Sequence, residues 1–400
     1  MARIRWYLTA FFSMLLLVAT PAHAQMTCNA TPWPLWQQFV THLVQDSGRV
    51  LDASTPQQHS TSESQSYGMF FALVAGDRAM FDKMWTWSIN NLGAGDLTKR
   101  LPAWLWGKAP DNSWGVLDTN SASDADLWFA YALLEAGRLW KEPAYTQAAE
   151  RLLTLVEGQE VAYLPQLGLM LLPGKIGFAK PEQGYWVLNP SYLPVPVLRR
   201  LALHAPSGPW NALTDNTLTL FERTNPAGFA PDWTRYQTLN PPSGFAPEGS
   251  KETTGSYDAI RTYLWAGMTS PRDPLFTPML KTLGGMIKAT ESATDQWPPE
   301  KVDTLTGQTA GTGPFGFSAA LLPYFQAQGK TTLATAQSER VQQAIAAALT
   351  PENLQKNPAP YYDFMLSLFG VGWYEQRYRF QANGTLSLPW ESSCQGTKPR

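Results

Sequence analysis

The sequence predicts an all-α fold, a toroid of about twelve helices in successive pairs with short irregular or β insertions. Helical periodicity recurs from Trp36 to beyond residue 360, in segments punctuated by Gly and Pro. The pairs recur at intervals of about 60 residues, and no long linker or shift of composition separates them. Alternation between an inner and an outer ring is the economical way to pack such pairs. Two separate helical domains are the alternative.

The first helical segment spans 36–44 and ends at Gly48, the second 64–75, and the third 77–92, closed by Gly93. A loop rich in Pro, Trp and Gly follows, including Trp104, Trp106 and Trp114. Ser123 and Asp124 then cap a strong helix over 125–140, with Leu127, Ala130, Leu133 and Leu134 near helical spacing. Pro143 opens a fifth helix, 143–157, as a favoured first-turn residue. Irregular or β-like stretches at 158–190 and 225–253 flank helices at 191–203 and 210–223. Five more helices are expected near 257–268, 274–289, 316–328, 332–349 and 360–370, before a tail that adds a short strand pair.

Apolar residues make up 44% of the 400, ample for a large core, while charged residues are only 16%. Seventeen Trp and fifteen Tyr in so weakly charged a chain suit stacking on flat, neutral ligands as well as core packing. A formal charge of −2 offers no field for gathering phosphates, so nucleic acid is not an expected partner. His23, His42, His59 and His204 lack metal-ligand spacing and the two cysteines form no CxxC, so neither metal nor cofactor is expected.

Arg3 and Arg5, the apolar run from Trp6 to Val18 and the A-x-A site Ala22-His23-Ala24 read as an export signal over 1–24. The expected mature chain, 25–400, is then a single catalytic domain outside the cytoplasm, periplasmic or secreted, with no stable membrane insertion. Cys28 and Cys394, one near each mature end, can staple the termini in an oxidising compartment or remain two buried thiols.

Three acids stand at equivalent positions. Ser62 is a candidate N-cap for the second helix, with Glu63 in its first turn, where the helix dipole stabilises a carboxylate. Glu63, Asp124 and Asp258 fall at the starts of the second, fourth and eighth helices. Even-numbered helices of an alternating toroid run parallel, so these three carboxylates converge on one rim. Carboxylates across a cleft, aromatics around them and no metal are equipment for hydrolysing a glycosidic bond. One acid protonates the leaving oxygen, another activates water or attacks the sugar, and a third holds a hydroxyl or tunes its neighbour.

The run Ala122-Ser123-Asp124-Ala125-Asp126-Leu127-Trp128-Phe129-Ala130, continuing to Ala136 and Trp140, resembles the signature of glycoside hydrolase family 8, with Phe129 departing from the usual Ile or Met. Ser62-Glu63-Ser64-Gln65-Ser66-Tyr67-Gly68-Met69 resembles the segment carrying that family's general acid. Leu101 to Lys108, Asn189-Pro190-Ser191-Tyr192, Ser256 to Arg261 and Pro298 to Asp303 are similar to one branch, the periplasmic endo-1,4-β-glucanases encoded with bacterial cellulose synthases. The resemblance runs from about Cys28 to Cys394.

It implies an (α/α)6 barrel and inverting hydrolysis of internal β-1,4-glucosidic bonds, in bacterial cellulose biosynthesis. Glu63 would be the general acid, Asp258 the general base and Asp124 the ligand of the distorted sugar. Tyr192 would position the attacking water, and Trp104 would be a stacking platform. Arg261 is a candidate for orienting a carboxylate, and Trp106 a candidate substrate contact on an exposed loop. Expected partners are the β-1,4-glucan chain and a cellulose synthase complex, with the enzyme itself monomeric. A catalytically silent glucan-binding subunit of an export complex, a polysaccharide lyase, or a hydrolase of xylan, chitosan or mixed-linkage glucan are the competing readings.

Overall fold

The structure is a computed structural model that describes residues 32–239, 243–247 and 253–394. The expected signal segment and Cys28 lie outside the described residues, as does the side chain of Cys394.

Fifteen α-helices are present among the described residues: α1 Pro34–Leu43, α2 Ser62–Val74, α3 Arg78–Asn91, α4 Ser123–Trp140, α5 Pro143–Gln159, α6 Val195–His204, α7 Trp210–Thr224, α8 Ile260–Met268, α9 Phe276–Thr282, α10 Gly285–Ser292, α11 Phe315–Ala320, α12 Leu322–Ala327, α13 Thr331–Ala348, α14 Pro351–Leu354 and α15 Tyr361–Tyr374. They reduce to twelve positions, because two expected helices are broken in the middle and α14 is a single extra turn. Pro323 in the first turn of α12 has no N–H to donate, which separates α12 from α11. Leu283 and Gly284 separate α9 from α10.

Inner and outer rings alternate. α2 packs on α4, α4 on α6, α6 on α8, α8 on α11 and α12, these on α15, and α15 back on α2, closing a ring of six. α3, α5, α7, α9 and α13 each lie outside a member of that ring, and α1 lies against α15. Composition explains the division. In α2 every residue but Glu63 is buried, as an inner helix needs. The outer α5 buries a single stripe, Tyr145, Ala149, Leu152, Leu153 and Val156.

The axis is filled. Phe70 and Phe71 of α2, Trp128 of α4, Trp265 of α8 and Phe369 of α15 meet there, with Phe71 and Phe369 centroids 4.5 Å apart and Phe70 and Trp128 4.9 Å apart. Tyr378 and Phe380 of the C-terminal hairpin, Arg379–Phe380 with Leu386–Ser387, pack on Phe70 from below. Edge-to-face pairs such as Phe71–Phe369 and Phe70–Tyr378, and stacked ones such as Phe70–Phe380, each add about 0.5–1.5 kcal/mol beyond the area they bury.

The connections are lopsided. Inner helices pass to outer ones through short turns, 75–77 after α2 and 141–142 after α4. Outer helices return to inner ones through long insertions, 92–122, 160–194, 225–259 and 293–314. Those insertions carry most of the β-structure, including the strands Leu105–Lys108 and Trp114–Asp118, which form a three-stranded sheet with Ser60–Thr61 ahead of α2, and a four-stranded sheet spanning 179–246. The expected loop at 101–107 is therefore in part a hairpin. All the long insertions reach the rim where the inner helices begin, and long loops on a rigid scaffold are where binding groups concentrate.

Candidate active site

Glu63 lies at the second residue of α2. The N-cap is Thr61, not Ser62: its hydroxyl accepts from Ser64 N at 3.1 Å, and Ser64 Oγ accepts in return from Thr61 N at 3.0 Å. This reciprocal box serves the helix end and leaves the Glu63 carboxyl to other partners. Trp104 Nε1 donates to Glu63 Oε1 at 3.2 Å, and Ser62 Oγ donates to Oε2 at 3.3 Å. Burial pushes the Glu63 carboxyl up to about 8, with the like charge of Asp124 adding to it. Its own backbone N–H, Arg261 and the Thr61 hydroxyl oppose the shift without cancelling it.

Asp124 also sits one residue inside its helix, α4, whose N-cap is Ala122 with no side-chain cap. It is buried. Tyr67 donates to its Oδ2 at 3.0 Å, Ala125 N donates to its Oδ1 at 2.8 Å, and Arg261 Nη2 lies 3.8 Å from Oδ2. Burial raises this carboxyl to about 6, although Arg261 and the Tyr67 hydroxyl pull it down.

Asp258 lies in the turn ahead of α8 rather than in the helix itself. Its side chain is 29% exposed, so it reaches solvent at the rim while Asp124 does not. Arg261 Nη2 donates to Asp258 Oδ1 at 2.8 Å and to Ser191 Oγ at 3.1 Å, and Ser191 O accepts from Trp265 Nε1 at 2.8 Å. The buried guanidinium keeps its charge, because Asp258, Tyr67 and Asp124 outweigh its desolvation. One arginine thus ties together Asp258, Asp124 and the Asn189–Tyr192 segment.

Tyr192 joins this group. Its ring lies 5.9 Å from the Arg261 guanidinium and 6.1 Å from Trp233, and burial followed by the charges of Asp124, Glu63 and Asp258 keeps its hydroxyl protonated. Five of the residues singled out in the sequence, Glu63, Asp124, Tyr192, Asp258 and Arg261, are thus electrostatically coupled at one mouth. Trp104 borders it, 37% exposed. Trp106 does not lie on an exposed loop: it sits on the Leu105–Lys108 strand, stacks on Trp114 at 5.4 Å and has Arg49 4.4 Å from its ring centroid.

A carboxyl held protonated near neutrality at the mouth, Glu63, another at the solvent edge, Asp258, and a cationic organiser between carboxylates suit proton donation to a leaving group with activation of water. Among the described residues no cluster of His, Cys, Asp and Glu could hold a metal ion.

A family model described as glycosyl hydrolases family 8 matches residues 4–376. The chain belongs to glycosyl hydrolase family 8. An endoglucanase of Pseudomonas fluorescens (strain SBW25) is 48% identical, over 94% of this chain and 95% of its own length. An endoglucanase of Escherichia coli (strain K12) is 44% identical, over 96% of each chain. The crystal structure of endo-1,4-D-glucanase from Vibrio fischeri ES114 superposes with a TM-score of 0.82 at 38% identity, covering 90% of this chain and 99% of that one. The twelve-position ring is accordingly the (α/α)6 barrel of family 8, and the protein is a glycoside hydrolase.

Several residues of this family 8 site carry no local signal in the sequence. Tyr67 was visible only as part of a motif, four residues and so one turn beyond Glu63 on the same face of α2. Tyr361 and Tyr362 open α15, and burial together with the site's charges keeps their hydroxyls protonated; Tyr362 donates to Tyr257 O at 2.6 Å. Asp232 lies in the irregular 225–253 stretch with nothing around it to mark it out. Asp126, two residues past Asp124, is fully buried and electrostatically coupled to Glu160, whose Oε1 accepts from Ser121 Oγ at 2.5 Å. Burial raises both of these acids, so the pair retains a proton and braces the start of α4.

Proposed function

We propose that the protein is an endo-1,4-β-glucanase that cleaves internal bonds of cellulose with inversion at the anomeric carbon. The observation that carries this reading is the pairing of a protonated Glu63 with a solvent-edge Asp258 around Arg261. In this reading Glu63 gives its proton to the glycosidic oxygen as the C1–O bond breaks. Asp258, with Tyr192, takes a proton from a water that attacks C1 from the opposite face. Asp124 and Tyr67 hold hydroxyls of the sugar being cleaved, and Trp104 is a platform for a neighbouring ring. The substrate assignment rests on relatives named endoglucanase at 43–48% identity over nearly the whole chain.

The export-type N-terminus and the resemblance to enzymes encoded with cellulose synthases support a periplasmic or secreted single-domain enzyme that trims nascent cellulose, beside a synthase complex. No helix among the described residues is long and apolar enough to cross a membrane.

The test is hydrolysis of soluble β-1,4-glucan by Glu63→Gln and Asp258→Asn, with proton NMR of the first product formed. Loss of at least about 10³-fold in kcat in each variant and initial release of the α-anomer are expected. Retention of most activity by either variant, or release of the β-anomer, overturns the assignment.

A further inference from the structure

The turn that carries Asp258 has an unusual anchor. Ala259, the residue before α8, caps nothing with its side chain. Three N–H groups of the turn leading into this helix are instead collected by one carboxylate oxygen from a distant part of the chain. Asp232 Oδ1 accepts from Ser256 N at 2.8 Å, Asp258 N at 3.1 Å and Ala259 N at 2.8 Å, across 24 to 27 residues.

Asp232 is itself fixed. Its N–H donates to Thr254 O at 2.8 Å, and Ala230 N donates to Tyr263 Oη, a side chain of α8, at 3.1 Å. A Cβ on Gly255 would lie 2.1 Å from Ala230 O, so the two backbones can approach this closely only with glycine at that position. Ser256 Oγ is tied to Glu300 O at 2.8 Å, which holds the far side of the turn. Asp258 is therefore constrained twice, in its main chain through Asp232 and in its carboxylate through Arg261.

We propose that Asp232 is a positioning residue for the general base, setting the backbone from which Asp258 reaches water. The inference rests on the reading of Asp258 as that base. The function requires an acceptor oxygen that three N–H groups can share, and the amide oxygen of Asn meets that need without the charge. Removing the acceptor frees three donors, and the turn must shift to find others. A displacement of about 1 Å at a reacting group costs about 10²-fold in rate.

The experiment compares the full chain with Asp232→Asn, Asp232→Ala and Asp232→Ser, the Ser hydroxyl being too short to reach all three donors. Steady-state kinetics on soluble β-1,4-glucan and hydrogen exchange at the amides of residues 256–259 are read together. Asp232→Ala and Asp232→Ser are expected to lose about 30- to 100-fold in kcat with KM within about twofold, and to lose protection at these amides. Asp232→Asn should stay within about threefold in kcat and keep the protection. Undiminished kcat in Ala or Ser, or an Asn variant that falls as far as Ala, overturns the proposal. Should wild-type protein not hydrolyse the glucan, the functional reading fails, while the exchange data still decide whether Asp232 holds the turn.

Discussion

Tyr67 donates its hydroxyl to Asp124 at 3.0 Å from a position one helical turn beyond Glu63 on α2. The same helix face therefore presents the candidate acid and the donor that steadies the neighbouring carboxyl, whose charge adds to burial in keeping that acid protonated. Tyr67→Phe removes this bond at a buried position. The cost expected is about 1–2 kcal/mol of unfolding free energy by urea titration at pH 7. The Asp124 carboxyl should also titrate at higher pH by carbon-13 NMR, since the Tyr67 bond opposes its upward shift.

Glu63 sets a signed pH dependence. Its folded value, about 8, lies above the ordinary 4.5, so between these limits the folded chain holds a proton that the unfolded chain has released. The contribution to stability is at its best below about 4.5 and is lost as pH rises towards 8. Glu63→Gln cannot ionise, so its Tm relative to wild type should be higher at about pH 8.5 than at about pH 4 in calorimetric scans. A difference independent of pH would contradict this. With Glu63 as the proposed general acid, kcat/KM is expected to fall along an alkaline limb near pH 8.

Trp104 contributes to the site by its indole N–H and by its partly exposed ring. Trp104→Phe keeps a ring and drops the donor; Trp104→Ala drops both. KM for soluble glucan is expected to rise about tenfold in the Ala variant, equivalent to about 1.4 kcal/mol, and about two- to threefold in Phe. Equal kinetics in wild type and Ala would remove Trp104 from the binding surface.

Gly370 of α15 faces the backbone of α11, where a Cβ would come within 1.7 Å of Ala319 O. A backbone carbonyl in a packed ring cannot yield as a side-chain tip can. Gly370→Ala should cost about 2–3 kcal/mol or more in urea unfolding. Gly115→Ala, which meets nothing within 4 Å, should be nearly neutral. The contrast between the two tests the closeness of the inner ring.

The periodic segments and the helix starts were legible because both are local: apolar spacing marks a face, and Thr61 to Ser66 or Ala122 to Asp126 mark a beginning. The position of each acid at an even-numbered helix was legible for the same reason. Partnerships across the chain were not. Asp232 meets its three donors more than twenty residues away, and Arg261 meets Ser191 from 70 residues away. Trp106 read as exposed because it follows Pro102 in a loop-like stretch, yet strand pairing with Ser60 carries it to Trp114 and Arg49. Breaks at Gly284 and Pro323 were visible as residues but not as interruptions, since the apolar pattern runs through both.

The inner ring is shut by its last member. α15 is the stave between α11 and α2, and Tyr361 and Tyr362 at its head look onto charges supplied by α2 and α8. A chain cut short before residue 360 has every acid singled out here and still lacks the wall that encloses them. The acids and the wall that completes their site are thus encoded far apart, from Glu63 near the start of the described residues to Tyr362 near their end.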